Sequence, residues 1–256
     1  MKLVETWDEW CAIYSQLSFW LEEIGLLCGA QGIECRLIEL TFPGTHAVFF
    51  VNEDIVLKIY CPVRYNSCGK ELKLHDGPLA DNRLFPQVRF HGRSPSGYDY
   101  IGFTRLHGTT VREKPLTEIG ARDLAYAVAD LHNKTPDRAD GLRCLVHYDL
   151  TEDHVYLDDQ GRLVGIIDFG DARMAHPSDE FPVLFVACLR CDDSLIAAFR
   201  EAYGSRAEHY QINDEELVDA LRRHDYCEDM IHDLQRAGTR FARNLLDRYS
   251  ATSQEE

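Results

Sequence analysis

Leu145-Val146-His147-Tyr148-Asp149-Leu150-Thr151-Glu152-Asp153-His154-Val155-Tyr156-Leu157-Asp158-Asp159-Gln160-Gly161-Arg162-Leu163-Val164-Gly165-Ile166-Ile167-Asp168-Phe169-Gly170-Asp171 is the stretch around which the chain is organised. It reads as loop, strand, turn, strand, loop. Val155–Leu157 and Leu163–Ile167 are short apolar runs rich in β-branched residues, and Asp158-Asp159-Gln160-Gly161 is a turn between them. A hairpin brings its two ends together. Asp149 and His154 before it and Asp168 after it are therefore expected to converge, whereas Asp158 and Asp159 remain ordinary solvated turn residues.

Such a set has a chemical logic. Phosphoryl transfer asks little covalent chemistry of a protein. It needs a group that positions or deprotonates the attacking hydroxyl, and hard ligands for the Mg²⁺ that bridges the phosphates. Asp149 can accept a hydroxyl proton, Asp168 can bind Mg²⁺ through oxygen, and the imidazole of His154 can fill the place of an amide oxygen. His147-Tyr148-Asp149, four residues, His154, and then Asp168-Phe169-Gly170, resembles the kinase catalytic-loop and metal-loop pair. With Asp171-Ala172 and Pro177-Ser178-Asp179 it is similar to the aminoglycoside phosphotransferase family. His154 in the last place of the first motif resembles some antibiotic kinases, the macrolide group among them. The resemblance implies Asp149 as the catalytic residue and His154 and Asp168 as metal ligands. It implies His147 as a brace, and Asp179 as the residue whose carboxylate ties down the catalytic loop. His176-Pro177 departs from the family's usual Asp-Pro.

Upstream, Trp7 to Leu27 recur at helical spacing, which predicts one amphipathic helix over residues 6–28. Three strands are predicted at Arg36–Phe42, Ala47–Val51 and Ile55–Tyr60. Pro43-Gly44-Thr45-His46 joins the first two, and the resemblance places Gly44 and Thr45 over the nucleotide phosphates, although the loop has a single glycine. Lys58 resembles the third-strand lysine that holds the α- and β-phosphates, and Glu71, on a helix over 67–75, is its candidate ion-pair partner. Strands follow at Leu84–His91 and Tyr98–Phe103. They run into the segment that resembles the kinase hinge, where Thr104 and Leu106 are assigned to the adenine edge.

Downstream, Thr117–His132 is predicted helical, with Ile119, Leu124, Ala127, Val128 and Leu131 as its apolar stripe. Helices are expected at Phe181–Arg190 and Leu195–Tyr203, the latter ended by Gly204. Asn213-Asp214-Glu215-Glu216 starts one long helical region reaching toward Leu246, with His224 and Glu228 four apart on its edge, and the tail Ala251–Glu256 is expected to fray. An acceptor site between catalytic loop and C-terminal helices would be walled by Glu228, His224, Tyr148 and Asp179.

Composition bounds the rest. The 256 residues, 45% hydrophobic and 27% charged, are globular values, and no run approaches the roughly 18 consecutive apolar residues of a membrane span. The N-terminus lacks the apolar core of a signal peptide, and nine scattered cysteines fit free thiols in a reducing cytoplasm. Cys188-Leu189-Arg190-Cys191 has no second pair and reads as helix packing. The net charge of −16, of which −12 lies in residues 103–256, disfavours nucleic acid and would draw a small cationic acceptor.

The expectation is an α+β, protein-kinase-like two-lobed fold: a small antiparallel-sheet lobe over 1–103 and a mainly helical lobe over 104–256. Its implied activity is transfer of the γ-phosphate of ATP or GTP, with Mg²⁺, to a hydroxyl of an aminoglycoside-type antibiotic, giving resistance, by a cytoplasmic monomer. Macrolide, choline, homoserine and sugar acceptors share the scaffold. A non-catalytic nucleotide-binding pseudokinase is the alternative from another class, motivated by His154 and the thin glycine loop.

Overall fold

The computed structural model describes residues 3–41, 44–63, 67–137 and 142–252. Phe42, the expected end of the first strand, Pro43, the expected start of the connecting loop, and the tail after Thr252 lie outside the described residues. The chain divides into two compact units, Met1–Leu106 and His107–Glu256.

The first unit is built on an antiparallel sheet of five strands: β1 (Ile38–Leu40), β2 (Ala47–Val51), β3 (Ile55–Ile59), β4 (Val88–Arg93) and β5 (Asp99–Thr104), in the order β1-β2-β3-β5-β4. Along β3 the period-2 alternation sends Ile55, Leu57 and Ile59 to a core that also holds Trp10, Trp20, Ile24, Phe49 and Tyr98. Val56 and Lys58 face the other way, toward α3 (Ser67–His75), whose Cys68 and Leu72 pack against Ile101 and Phe103. The helix expected over 6–28 is two: α1 (Trp7–Cys11), closed by a Thr6–Glu9 capping box, and α2 (Leu17–Ala30). Side chains take the carbonyls at the break. The Trp20 indole donates to Ile13 O at 3.0 Å, and Gln16 Nε2 donates to Ala12 O. The turn lets both indoles reach one core, their centroids 5.8 Å apart in an edge-to-face pair.

The second unit is mainly helical. β6 (Thr109–Thr110), β8 (Val155–Leu157) and β9 (Leu163–Ile166) form a small sheet in the order β6-β8-β9. β7 (Cys144–Val146) pairs with β10 (Arg173–Ala175), a strand that sequence left within the segment running to Asp179. α4 (Glu118–Lys134), capped by Thr117, lies under the hairpin at Gly120, where a Cβ would stand 2.8 Å from Gly161 O. Gly108 allows an equally close approach to Leu157 O, 2.6 Å from an added Cβ. Ile119, expected in the apolar stripe, is 51% exposed because the first turn of α4 points it outward.

The helix expected over 181–190 is α5 (Phe181–Val183) followed by a π-helical turn, Leu184–Cys188. Arg190 and Cys191 then take positive φ and turn the chain into α6 (Asp193–Arg206), which runs through Gly204. The single long C-terminal helix is three: α7 (Asp214–Arg223), α8 (Cys227–Ala237) and α9 (Arg240–Thr252). Gly238, at φ 59°, makes the second break in the left-handed conformation that favours glycine. His224 makes the first. No helix among the described residues is long and apolar enough to cross a membrane.

Candidate active site

The loop between β7 and β8 is fixed from both ends. The His147 N–H donates to Glu180 Oε2 at 2.7 Å, and its ring Nε2 donates to Ile167 O at 2.8 Å. The ring packs on Phe169 with centroids 4.7 Å apart, and burial lowers its pKa, so His147 is a neutral brace. On either side of the site the backbone is forced: Tyr148 has φ 72° and Asp168 φ 61°. Side-chain-bearing residues in this left-handed region cost about 1–3 kcal/mol each and persist where surrounding structure imposes them.

Asp149, His154 and Asp168 come together. Asp149 O accepts from Thr151 N at 2.9 Å and from the His154 Nδ1 at 2.6 Å. A carbonyl only accepts, so Nδ1 carries a proton and Nε2 is the ring nitrogen left to face Asp168. That Nε2 stands 3.8 Å from Asp168 Oδ2, while Nδ1 stands 3.8 Å from Asp149 Oδ2. These separations exceed a hydrogen bond. Burial pushes the Asp149 carboxyl up to about 6; His154 opposes the rise, and Asp171 and Asp168 add to it. A carboxyl at that value is half ionised near pH 6 and is a competent acceptor of a hydroxyl proton above it.

The tie on the catalytic loop belongs to Glu180, not Asp179. Glu180 is fully buried. Its burial would raise the carboxyl, but His132, at 3.6 Å, and His147 hold it below the usual range. His132 Nδ1 in turn meets the Tyr203 hydroxyl at 2.8 Å. Asp179 points elsewhere and pairs with Arg223 at 2.8 Å. Three residues after Pro177, and not two, is the position that reaches the loop, and two adjacent acidic residues gave the sequence no means to choose. Cys188 also serves the loop, its thiol donating to Leu150 O at 3.3 Å, and burial holds that thiol well above its usual range.

In the first unit, Lys58 lies opposite Val48 and Ile101 in the sheet, and its Nζ is 2.8 Å from Glu71 Oε2. The Tyr60 hydroxyl reaches the same oxygen at 2.7 Å, a partner the sequence reading missed. Burial and the Lys58 charge bring His75 down to about 4. Thr45 O accepts from the Trp10 indole at 2.9 Å, and a Cβ at Gly44 would meet open space. The Thr104 N–H donates to Gln87 O at 2.8 Å, so it is committed to the sheet, and Leu106 follows half-buried beyond the strand end.

The residues assigned to an acceptor wall are divided. Tyr148 and His224 are 8% and 4% exposed and stack on each other with centroids 4.4 Å apart. Glu228 is exposed in the first turn of α8, no longer on one helix with His224. Asp192 caps α6, and Asp193 accepts from Arg240 N and Phe241 N at the start of α9.

His154 Nε2 and Asp168 Oδ2 form a two-donor set, and Gly170 N approaches Asp168 Oδ1 at 3.4 Å. No cluster of three or more such side chains occurs among the described residues. Two protein donors suit a hard divalent ion that keeps waters and phosphate oxygens as its remaining ligands. An imidazole is softer than the usual oxygen, but the Nδ1 bond to Asp149 O orients the ring so that Nε2 faces the carboxylate.

The sequence model of the phosphotransferase enzyme family matches residues 121–216. No curated protein matches the sequence. Among solved structures, a point variant of aminoglycoside 2'-phosphotransferase-IIIa in its GDP complex shares 16% identity. It superposes over 90% of this chain and 97% of its own, with a TM-score of 0.61. The Streptomyces rimosus aminoglycoside phosphotransferase APH(3'')-Id, with ADP and streptomycin, gives 15% identity, 78% and 96% coverage and a TM-score of 0.62. Macrolide 2'-phosphotransferase type I gives 15%, 98% and 98%, and 0.57. The chain is similar to the phosphotransferase enzyme family over residues 121–216, and its fold is the kinase-like α+β fold of those solved structures.

Proposed function

We propose that the protein transfers the γ-phosphoryl group of ATP or GTP to a hydroxyl of a small antibiotic of the aminoglycoside type. The observation that carries this reading is the convergence of Asp149, His154 and Asp168 on a strained hairpin, with the Asp149 carboxyl raised to about 6. In the transfer, the bond from the γ-phosphorus to the β,γ-bridging oxygen breaks and a bond to the acceptor oxygen forms. The hydroxyl proton passes to Asp149. Lys58, held by Glu71, positions the α- and β-phosphates, with Gly44 and Thr45 on the phosphate loop and Thr104 and Leu106 at the base. Mg²⁺ held by His154 and Asp168 would neutralise charge on the phosphates. The protein is read as a cytoplasmic monomer whose activity gives resistance.

A macrolide-type acceptor is the second reading, and one observation favours it. Arg223 neutralises Asp179, and the Arg173 guanidinium lies 3.2 Å from the Tyr148 ring centroid, so this part of the unit is less acidic than the −16 charge suggests. An acceptor with one amine needs fewer carboxylates than one with several. The test is a transfer assay with γ-labelled ATP and GTP against panels of aminoglycosides and macrolides, with and without Mg²⁺. Label on an aminoglycoside supports the first reading and label on a macrolide the second. Absence of transfer to every acceptor, with nucleotide still bound, would favour the pseudokinase.

A further inference from the structure

The C-terminal helices reach the catalytic loop at one buried point. α7 ends at His224, and the ring turns inward instead of continuing the helix. Its Nε2 lies 3.2 Å from Tyr148 O, and its Nδ1 lies 3.2 Å from Tyr226 N. Tyr148 O can only accept and Tyr226 N can only donate. His224 is therefore the neutral Nε2–H tautomer, giving a proton to the catalytic loop and taking one from its own chain. Protonation would place a hydrogen where the Tyr226 bond now is, and burial lowers the His224 pKa.

The ring also closes a stack. His224 lies nearly parallel to the Tyr148 ring, 16° between planes, and the Arg173 guanidinium sits over that ring. Both partners come from segments outside the loop, β10 and the α7–α8 turn. The residue they grip is the one at φ 72°, immediately before Asp149. A tyrosine does not hold that conformation unaided. Neither ring serves an acceptor wall in this arrangement, because each covers the other.

We infer that His224 is a positioning residue for the transfer. Its Nε2–H bond to Tyr148 O, with the stack, holds the strained Tyr148 peptide and so sets the direction of the Asp149 carboxyl. The inference rests on the reading of Asp149 above, but the strap can be tested apart from it. His224→Asn and His224→Gln both lose the ring. Gln keeps a donor near the Nε2 position, whereas Asn keeps only the Nδ1-like group that serves Tyr226.

Deuterium exchange of the peptide spanning 147–154 reads the strap directly. Asn is expected to speed exchange of that peptide about tenfold, with α4 unchanged, and Gln to lie nearer the parent. In transfer kinetics, Asn should lower kcat about tenfold or more with nucleotide KM unchanged, as misdirection of a reacting group does. A third measurement needs no variant: the imidazole ¹⁵N shifts of His224 in the parent should show the neutral Nε2–H form at pH 7. An Nδ1–H tautomer, or Asn and Gln indistinguishable in loop exchange, overturns the inference. A parent protein that loosens as expected in Asn but transfers no phosphoryl group overturns the proposed function and leaves the strap standing.

Discussion

The Lys58 site and the Asp149 site hold charged groups in opposite ways. Lys58 and Glu71 sit on a regular strand and a regular helix, 2.8 Å apart and 7% and 2% exposed, with the Tyr60 hydroxyl completing the pair. Its opposite charges satisfy each other, and desolvation is offset only while both are present. At the second site two carboxylates of like charge flank an imidazole at 3.8 Å, two residues have positive φ, and the Asp149 carboxyl is raised to about 6. There both carboxylates stand beyond hydrogen-bond distance of the imidazole, and the fold holds them near one another against their preference. One site is stabilising architecture that also presents a cation. The other has the like-charged, strained character expected where an outside charge or proton completes the set.

Opposite signs of mutational effect follow. Lys58→Ala leaves Glu71 buried without its cation and should cost about 3–5 kcal/mol of stability. Glu71→Ala should cost a similar amount, and the double variant less than the sum of the two, as read by denaturant unfolding. Strict additivity would mean that the two side chains do not stabilise as a pair.

Asp149→Asn should stabilise. The folded carboxyl titrates near 6 against an ordinary 3.8, so its ionisation weighs on the folded state. That burden appears as pH rises above 3.8 and is complete above 6. At pH 8 the amide variant should be more stable by up to about 3 kcal/mol, and below pH 3.8 the difference should vanish. A variant less stable than the parent at pH 8 would show that Asp149 is structurally satisfied, which erases the contrast. The smallest effect belongs to Tyr60→Phe. Glu71 loses one of two donors but keeps its ion pair, for a loss of about 1 kcal/mol in the same unfolding experiment.

The fold was legible where local pattern and tertiary demand coincide. β2 and β3 follow from short apolar runs, and the convergence of Asp149, His154 and Asp168 from a turn between two apolar runs. What escaped lies where a long-range contact overrides the local pattern. The break between α1 and α2 depends on the Trp20 indole finding Ile13 O, and the break after α7 on His224 finding Tyr148 O. Helical periodicity carries neither signal, because both bonds are made across space. Glu180 escaped for a related reason: adjacent Asp179 and Glu180 differ by one rotation of the backbone, and only the packed loop shows which carboxylate reaches His147 N. Ile119 was misread because an apolar residue in a first turn need not face the core.

The pH dependence of phosphoryl transfer in the parent and in Asp149→Asn tests the central claim most directly. In the parent, kcat/KM should fall about tenfold per pH unit below about 6 and level off above it, because the ionised carboxyl is the working form. In the variant, kcat should drop about 10²- to 10⁴-fold with nucleotide binding retained, and the acid limb should disappear. A variant that keeps the parent's kcat, or the same acid limb, would contradict the assignment of Asp149 as the residue that takes the acceptor's proton.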